Sequence, residues 1–140
     1  MKVWKVLISD DDEGIHQITN LILSKEKFDD ISIELINKYS AKETIEYLKT
    51  HDDIAVIILD MIMEKDDSGI SVINEIRDTI KNKHIRIVIR TGQASDKSIY
   101  KLINDYEIND YKEKNNLRAM DLKTTLTFAL RGYKDIKEIQ

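Results

Sequence analysis

The chain has 140 residues, no cysteine, no proline and a formal charge of −4, its acidic and basic side chains interspersed. That length suits one compact domain whose core needs no disulfide or metal clip, and without thiols a disulfide framework and a thiolate metal site are excluded. No apolar run reaches the ~18 residues that span a bilayer, the first apolar run ends in carboxylates without a cleavage site, and Lys and Arg are not in excess. A cytoplasmic protein that binds neither membrane nor nucleic acid directly is therefore expected.

In chain order, Val3 to Ser9 reads as a strand, followed by helical spacing at Ile15, Ile18 and Ile22. Ile31 to Asn37 is the second strand, and Ile45 and Leu48 mark the helix after it. The third strand, Ile54 to Leu59, is apolar at every position, which suits a strand buried on both faces. Ile70, Ile73, Ile76 and Ile80 then repeat at helical spacing, and Ile85 to Ile89 is the fourth strand. Ile99, Leu102 and Ile103 mark a helix, Glu107 to Tyr111 a weak fifth strand, and about Leu117 to Tyr133 the last helix. Strands alternating with helices predict right-handed crossovers and a parallel sheet covered on both faces. Chemistry in such a sheet belongs beyond the carboxyl ends of the strands, where the strand order reverses.

The residues found there share one chemistry. Asp10, Asp11 and Asp12 follow the first strand, Asp60 the third, Thr91 and Gly92 the fourth, and Lys112 and Lys114 the fifth. Clustered carboxylates repel one another unless a cation neutralises them, and hard oxygen ligands with open positions suit Mg²⁺ or Mn²⁺. An ammonium and a hydroxyl stabilise charge on a transferring phosphoryl group, and one carboxylate remains as nucleophile.

Over nearly its whole length the sequence resembles the receiver domain of two-component response regulators. The resemblance rests on VLISDDDEG, VIILDMIM, IRIVIRTG and INDYKEK, in the family's order and approximate spacing. It implies a doubly wound, five-stranded parallel sheet of flavodoxin-like order 2-1-3-4-5, formed by residues 1–140 as one receiver domain. The subgroup it most resembles occurs in larger multidomain regulators. By the same resemblance, Asp60 is the phosphoacceptor, and Asp10, Asp11, Asp60 and the backbone carbonyl of Ile62 bind Mg²⁺. Thr91 and Lys114 bond phosphoryl oxygens, while Thr91 and Tyr111 form the switch. Such a domain is not a turnover enzyme but assists its own phosphorylation and dephosphorylation. Its partner is a sensor histidine kinase or phosphotransfer protein, and it forms homodimers through the fourth helix, fifth strand and fifth helix.

Three departures from the family pattern stand out. Asn115 follows Lys114 where proline is usual, which predicts either a trans bond with a rebuilt loop or a strained cis bond. Lys112 is the fallback ammonium, although strand alternation points it away from the site. Glu64 stands where proline is usual, in a loop one residue longer than common that ends on Ser68, read as a helix cap. Ile62 and Gln93 occupy positions that tune hydrolytic water, and an apolar Ile62 implies slow dephosphorylation.

Other readings carry less. Asp10 to Asp12 in isolation read as a helix-start cluster, and His16, His51 and His84 as surface residues. Met61 and Met63 read as packing, Trp4 as cover for a core edge, and the basic residues Arg118, Lys123, Arg131, Lys134 and Lys137 as a solvated face. A calcium loop from Glu64 to Glu75 has the right offsets but follows a strand rather than a helix. Two rival functions are a receiver-like module that signals without phosphorylation and a phosphatase of the haloacid-dehalogenase type. The latter accounts for Asp10 to Asp12 in a D-x-D pattern but explains Asp60 less well.

Overall fold

The computed structural model describes residues 3–63, 68–92 and 96–139, without the side chains of 96–99, 116 and 139. The strands are β1 (Val3–Ser9), β2 (Lys27–Phe28), β3 (Ile31–Lys38), β4 (Ile54–Leu59), β5 (Arg86–Thr91) and β6 (Asp110–Glu113). The helices are α1 (Glu13–Leu23), α2 (Ala41–Thr50), α3 (Ser68–Asn74), α4 (Asp96–Asp105) and α5 (Ala119–Ile139). The sheet order is β2-β3-β1-β4-β5-β6. Its five long-range strands are parallel in the predicted 2-1-3-4-5 order, and the two-residue β2 adds an antiparallel edge on β3.

Alternation along the strands feeds two cores. Ile57 and Leu59 of β4, Ile87 and Ile89 of β5 and Ile85 just before it pack with Leu48, Val72 and Ile73 under α2 and α3. Val56 and Ile58 face the opposite way, with Trp4, Val88, Leu126 and Leu130 under α5. Every residue of β4 and β5 is buried, as expected for central strands covered on both sides. Trp4 is held at the core edge by a 2.8 Å hydrogen bond from its indole nitrogen to the Phe28 carbonyl. It also meets Phe28 and Tyr133 edge to face.

Several expectations need correcting. The buried face of α1 is His16, Thr19 and Leu23, while Ile18 is well exposed. His16 is a core residue because its ring nitrogens meet Asn37 Oδ1 at 2.6 Å and the Asp10 carbonyl at 2.7 Å. A polar side chain satisfied in this way can occupy an interior position that apolar periodicity assigns elsewhere. Ser68 is the first helical residue of α3 rather than its cap. The last strand starts at Asp110 rather than Glu107, because Asn109 first exchanges two hydrogen bonds with Ile87. Helix α5 starts two residues later than expected and runs six further, to Ile139. Ile76 and Ile80 keep their inward positions across a π-helical turn, Glu75–Thr79, that prolongs α3. Gln93 and 64–67, the first four residues of the calcium-loop reading, lie outside the described residues, as does the side chain of Ile99.

Candidate functional site: an acidic hollow at the carboxyl edge of the sheet

Parallel register builds the site. Ser9 of β1 pairs with Leu59 of β4, so the next residues, Asp10 and Asp60, leave the sheet side by side. The ladder continues past the strands, with Asp60 N–H donating to the Ser9 carbonyl at 2.9 Å. Thr91 of β5 pairs with Glu113 of β6, which delivers Lys114 to the same edge. The order reverses between β3 and β4 on either side of β1, so this is the crevice in which doubly wound sheets hold ligands.

Asp11, Asp12, Asp60, Ile62, Thr91, Gly92 and Lys114 line a hollow of about 290 Å³. Asp10 and Asp60 are 1% and 4% exposed, Thr91 is buried, and Ile62 stands at the rim. Carboxylate oxygens of Asp10, Asp11 and Asp60 all lie within 4.8 Å of one another. Asp12 plays a different part. Its carboxylate caps α1 by accepting from Gly14 N–H at 2.8 Å, and its own N–H donates to Asp10 Oδ1 at 2.9 Å. The helix-start reading therefore holds for Asp12, while Asp10 and Asp11 join the acidic group.

Lys114 bridges the buried pair, its ammonium 2.9 Å from Asp10 Oδ2 and 3.0 Å from Asp60 Oδ2. Burial pushes the Asp60 pKa up, the Asp10 charge adds to this, and Lys114 and the Ile62 N–H only partly offset it. Burial pulls the Lys114 pKa down, but Asp10 and Asp60 outweigh it and hold the ammonium above its usual value. Asp10 Oδ2 is buried and receives no aligned hydrogen bond among the described residues despite the nearby ammonium. Two buried carboxylates that share a single ammonium, with the Asp11 carboxylate beside them, are a donor set suited to a hard divalent cation.

Of the residues proposed from sequence, Asp10, Asp11, Asp60, Thr91, Lys114 and Ile62 converge here. Tyr111 lies elsewhere, half-buried against the core under α2 and α3 and bordering a hollow between β6 and α5. Lys112 faces Asp110 at 3.8 Å and is outside the site. No peptide bond in the described residues is cis, and Lys114 opens a 3₁₀ turn, Lys114–Asn116, instead. The sequence reading missed two buried arginines, Arg86 and Arg90, which share β5 with its apolar residues. It also missed the buried Ser9 to Thr44 hydroxyl pair at 2.7 Å. Arginine in an otherwise apolar central strand was the signal that could have found the first two.

The chain is similar to known proteins over nearly its full length. The chain is 41% identical over 133 residues to the 3'3'-cGAMP-specific phosphodiesterase 2 of Vibrio cholerae, covering 95% of this chain but only 26% of that protein. The signal receiver domain of an HD domain-containing protein from Pseudomonas fluorescens superposes with a TM-score of 0.81 at 21% identity, over 99% of this chain and 94% of that one. A two-component response regulator from Clostridium difficile superposes with a TM-score of 0.72 at 27% identity, covering 91% and 96% of the two chains. The model of the response regulator receiver domain matches residues 6–126. With a family match over most of its length, the chain belongs to the response regulator receiver domain family.

Proposed function

We propose that this receiver takes a phosphoryl group on Asp60 from a phosphohistidine of a sensor kinase or phosphotransfer protein. The observation that carries the reading is the Asp60 carboxylate, buried at the floor of an open hollow between Asp11, Thr91 and Lys114. Asp10, Asp11, Asp60 and the Ile62 carbonyl would hold Mg²⁺ or Mn²⁺, which when bound supplies positive charge against the carboxylates and the incoming phosphoryl oxygens.

In the transfer itself, a carboxylate oxygen of Asp60 attacks phosphorus in line with the P–N bond. That bond breaks, and the donor imidazole leaves with the electron pair. Lys114 starts 3.0 Å from Asp60 and is placed to follow one phosphoryl oxygen. Thr91, buried at the end of β5, offers its hydroxyl to another. The added charge of about −1.5 to −2 and its acceptor oxygens draw Thr91 inward, and the surface around β5 and β6, with Tyr111, changes shape. The complete set of carboxylates, hydroxyl and ammonium favours this reading over a receiver that signals without phosphorylation.

We read residues 1–140 as the receiver part of a longer regulator, since the Vibrio cholerae relative extends far beyond the matched region. The decisive experiment is labelling with acetyl phosphate in the presence of Mg²⁺. Wild-type protein takes up one acyl phosphate that is lost in Asp60→Asn; a labelled Asp60→Asn protein overturns the assignment.

A further inference from the structure

Arg90 is 5% exposed, and among the described residues it has no carboxylate at ion-pair distance. Its Nη1 donates to Thr19 Oγ1 of α1 at 2.8 Å, and its Nε has no partner among the described residues. Arg86, four positions earlier on the same face of β5, differs: its guanidinium donates to the carbonyls of Lys83 and His84 and closes a turn. An arginine stays charged in a protein, and a buried charge without a counter-ion is costly. A single hydroxyl does not account for keeping that charge inside.

Its position does. Arg90 immediately precedes Thr91, and strand alternation sends its side chain to the face covered by α1 and α5. There Arg90, Thr19, Leu117 and Lys114 border a hollow of about 120 Å³. Lys114 also borders the acidic hollow, so the guanidinium lies one side chain behind the phosphoacceptor site. Burial pushes the Arg90 pKa down, and the charges opposing that shift are those of Asp10 and Asp60. Its electrostatic counterparts are thus the carboxylates of the site.

We propose that Arg90 is a fixed positive charge behind the site that weakens divalent-cation binding to the bare carboxylates and strengthens retention of the phosphoryl group once it is attached. The inference rests on the functional reading of Asp60. Lys114 is a flexible ammonium placed to move with a phosphoryl oxygen, whereas Arg90 is packed and cannot deprotonate. It acts through space on whatever charge occupies the site, repelling a cation and attracting an anion. A purely structural role, tying α1 to β5 through Thr19, makes no such distinction of sign.

The test uses Arg90→Met, which keeps an unbranched apolar stem and removes the charge. Mg²⁺ affinity is measured by calorimetry, and affinity for the phosphoryl mimic beryllium trifluoride by amide NMR at saturating Mg²⁺. The Mg²⁺ Kd is expected to fall, and the beryllium trifluoride Kd to rise, each by about three- to tenfold. Arg90→Lys keeps the charge and stays near wild type. Arg90→Gln retains a donor for Thr19 and shows the same opposed shifts if the methionine variant fails to fold. Affinities that weaken together, or do not move, overturn the inference while leaving the Asp60 reading intact. Wild-type protein that binds neither probe overturns both.

Discussion

The ammonium of Lys114 lies 3.0 Å from Oδ2 of Asp60, although a trans bond to Asn115 follows it where the family usually has proline. The 3₁₀ turn Lys114–Asn116 follows directly on β6, whose last residue pairs with Thr91, so the sheet register aims the lysine without a special peptide geometry. The same ammonium reaches Asp10 at 2.9 Å and neutralises part of an acidic cluster that burial makes expensive.

Lys114→Met leaves two buried carboxylates facing each other without their shared cation. Removing one partner of a buried ion pair costs about 3–5 kcal/mol. Urea unfolding in the absence of divalent cations is expected to show a loss of that order. Added Mg²⁺ raises the midpoint of the variant more than that of the wild type, and equal responses to Mg²⁺ would contradict the shared-cation account.

Stability without divalent cations depends on pH through Asp60. Its pKa is raised in the fold from a usual value of 3.8, chiefly by burial, so the folded state keeps a proton that the unfolded state has lost. Stability from this group is therefore present below about pH 3.8 and falls as pH rises through the raised folded value. Asp60→Asn removes this limb and is more stable than wild type above that window. Lys114 titrates at the other end: its raised pKa contributes stability that is lost only as pH climbs through a value above 10.5. Unfolding midpoints of both proteins across the acidic range check the first limb, and parallel curves would refute it.

Gly69 packs its α-carbon against Met61, the residue after Asp60. A Cβ there would sit 2.6 Å from Met61 Cα and 2.9 Å from the Asp60 carbonyl oxygen, and Gly69 N–H donates to the Met61 carbonyl at 2.9 Å. Backbone cannot yield as a side-chain tip does, so Gly69→Ala displaces the Asp60–Met61 segment and costs about 1–3 kcal/mol. Thermal unfolding reads the cost, and slower acetyl-phosphate labelling reads the displacement of Asp60.

Thr91→Ala removes the hydroxyl proposed to bond the phosphoryl group while preserving the strand end. Labelling of Asp60 continues, but the amide shifts that the phosphoryl mimic induces at Tyr111 are expected to shrink by more than half. Undiminished shifts would detach Tyr111 from Thr91.

Strand order and the acidic edge were legible in the sequence because their signals are local. A wholly apolar run such as Ile54 to Leu59 identifies a central strand, and residues ending parallel strands must gather at one edge of the sheet. Asp10, Asp60, Thr91 and Lys114 could be brought together on that logic. The interior polar residues were not legible. His16 and Arg90 look like surface residues until Asn37, Thr19 and the Asp10 carbonyl, distant in the chain or across a turn, supply their partners. Periodicity scores a side chain by its own polarity, whereas burial is decided by whether the rest of the fold satisfies it. The sequence alone therefore determined which groups stand at the site, and only the tertiary structure decided which charges lie behind it and how Lys114 reaches Asp60 without proline.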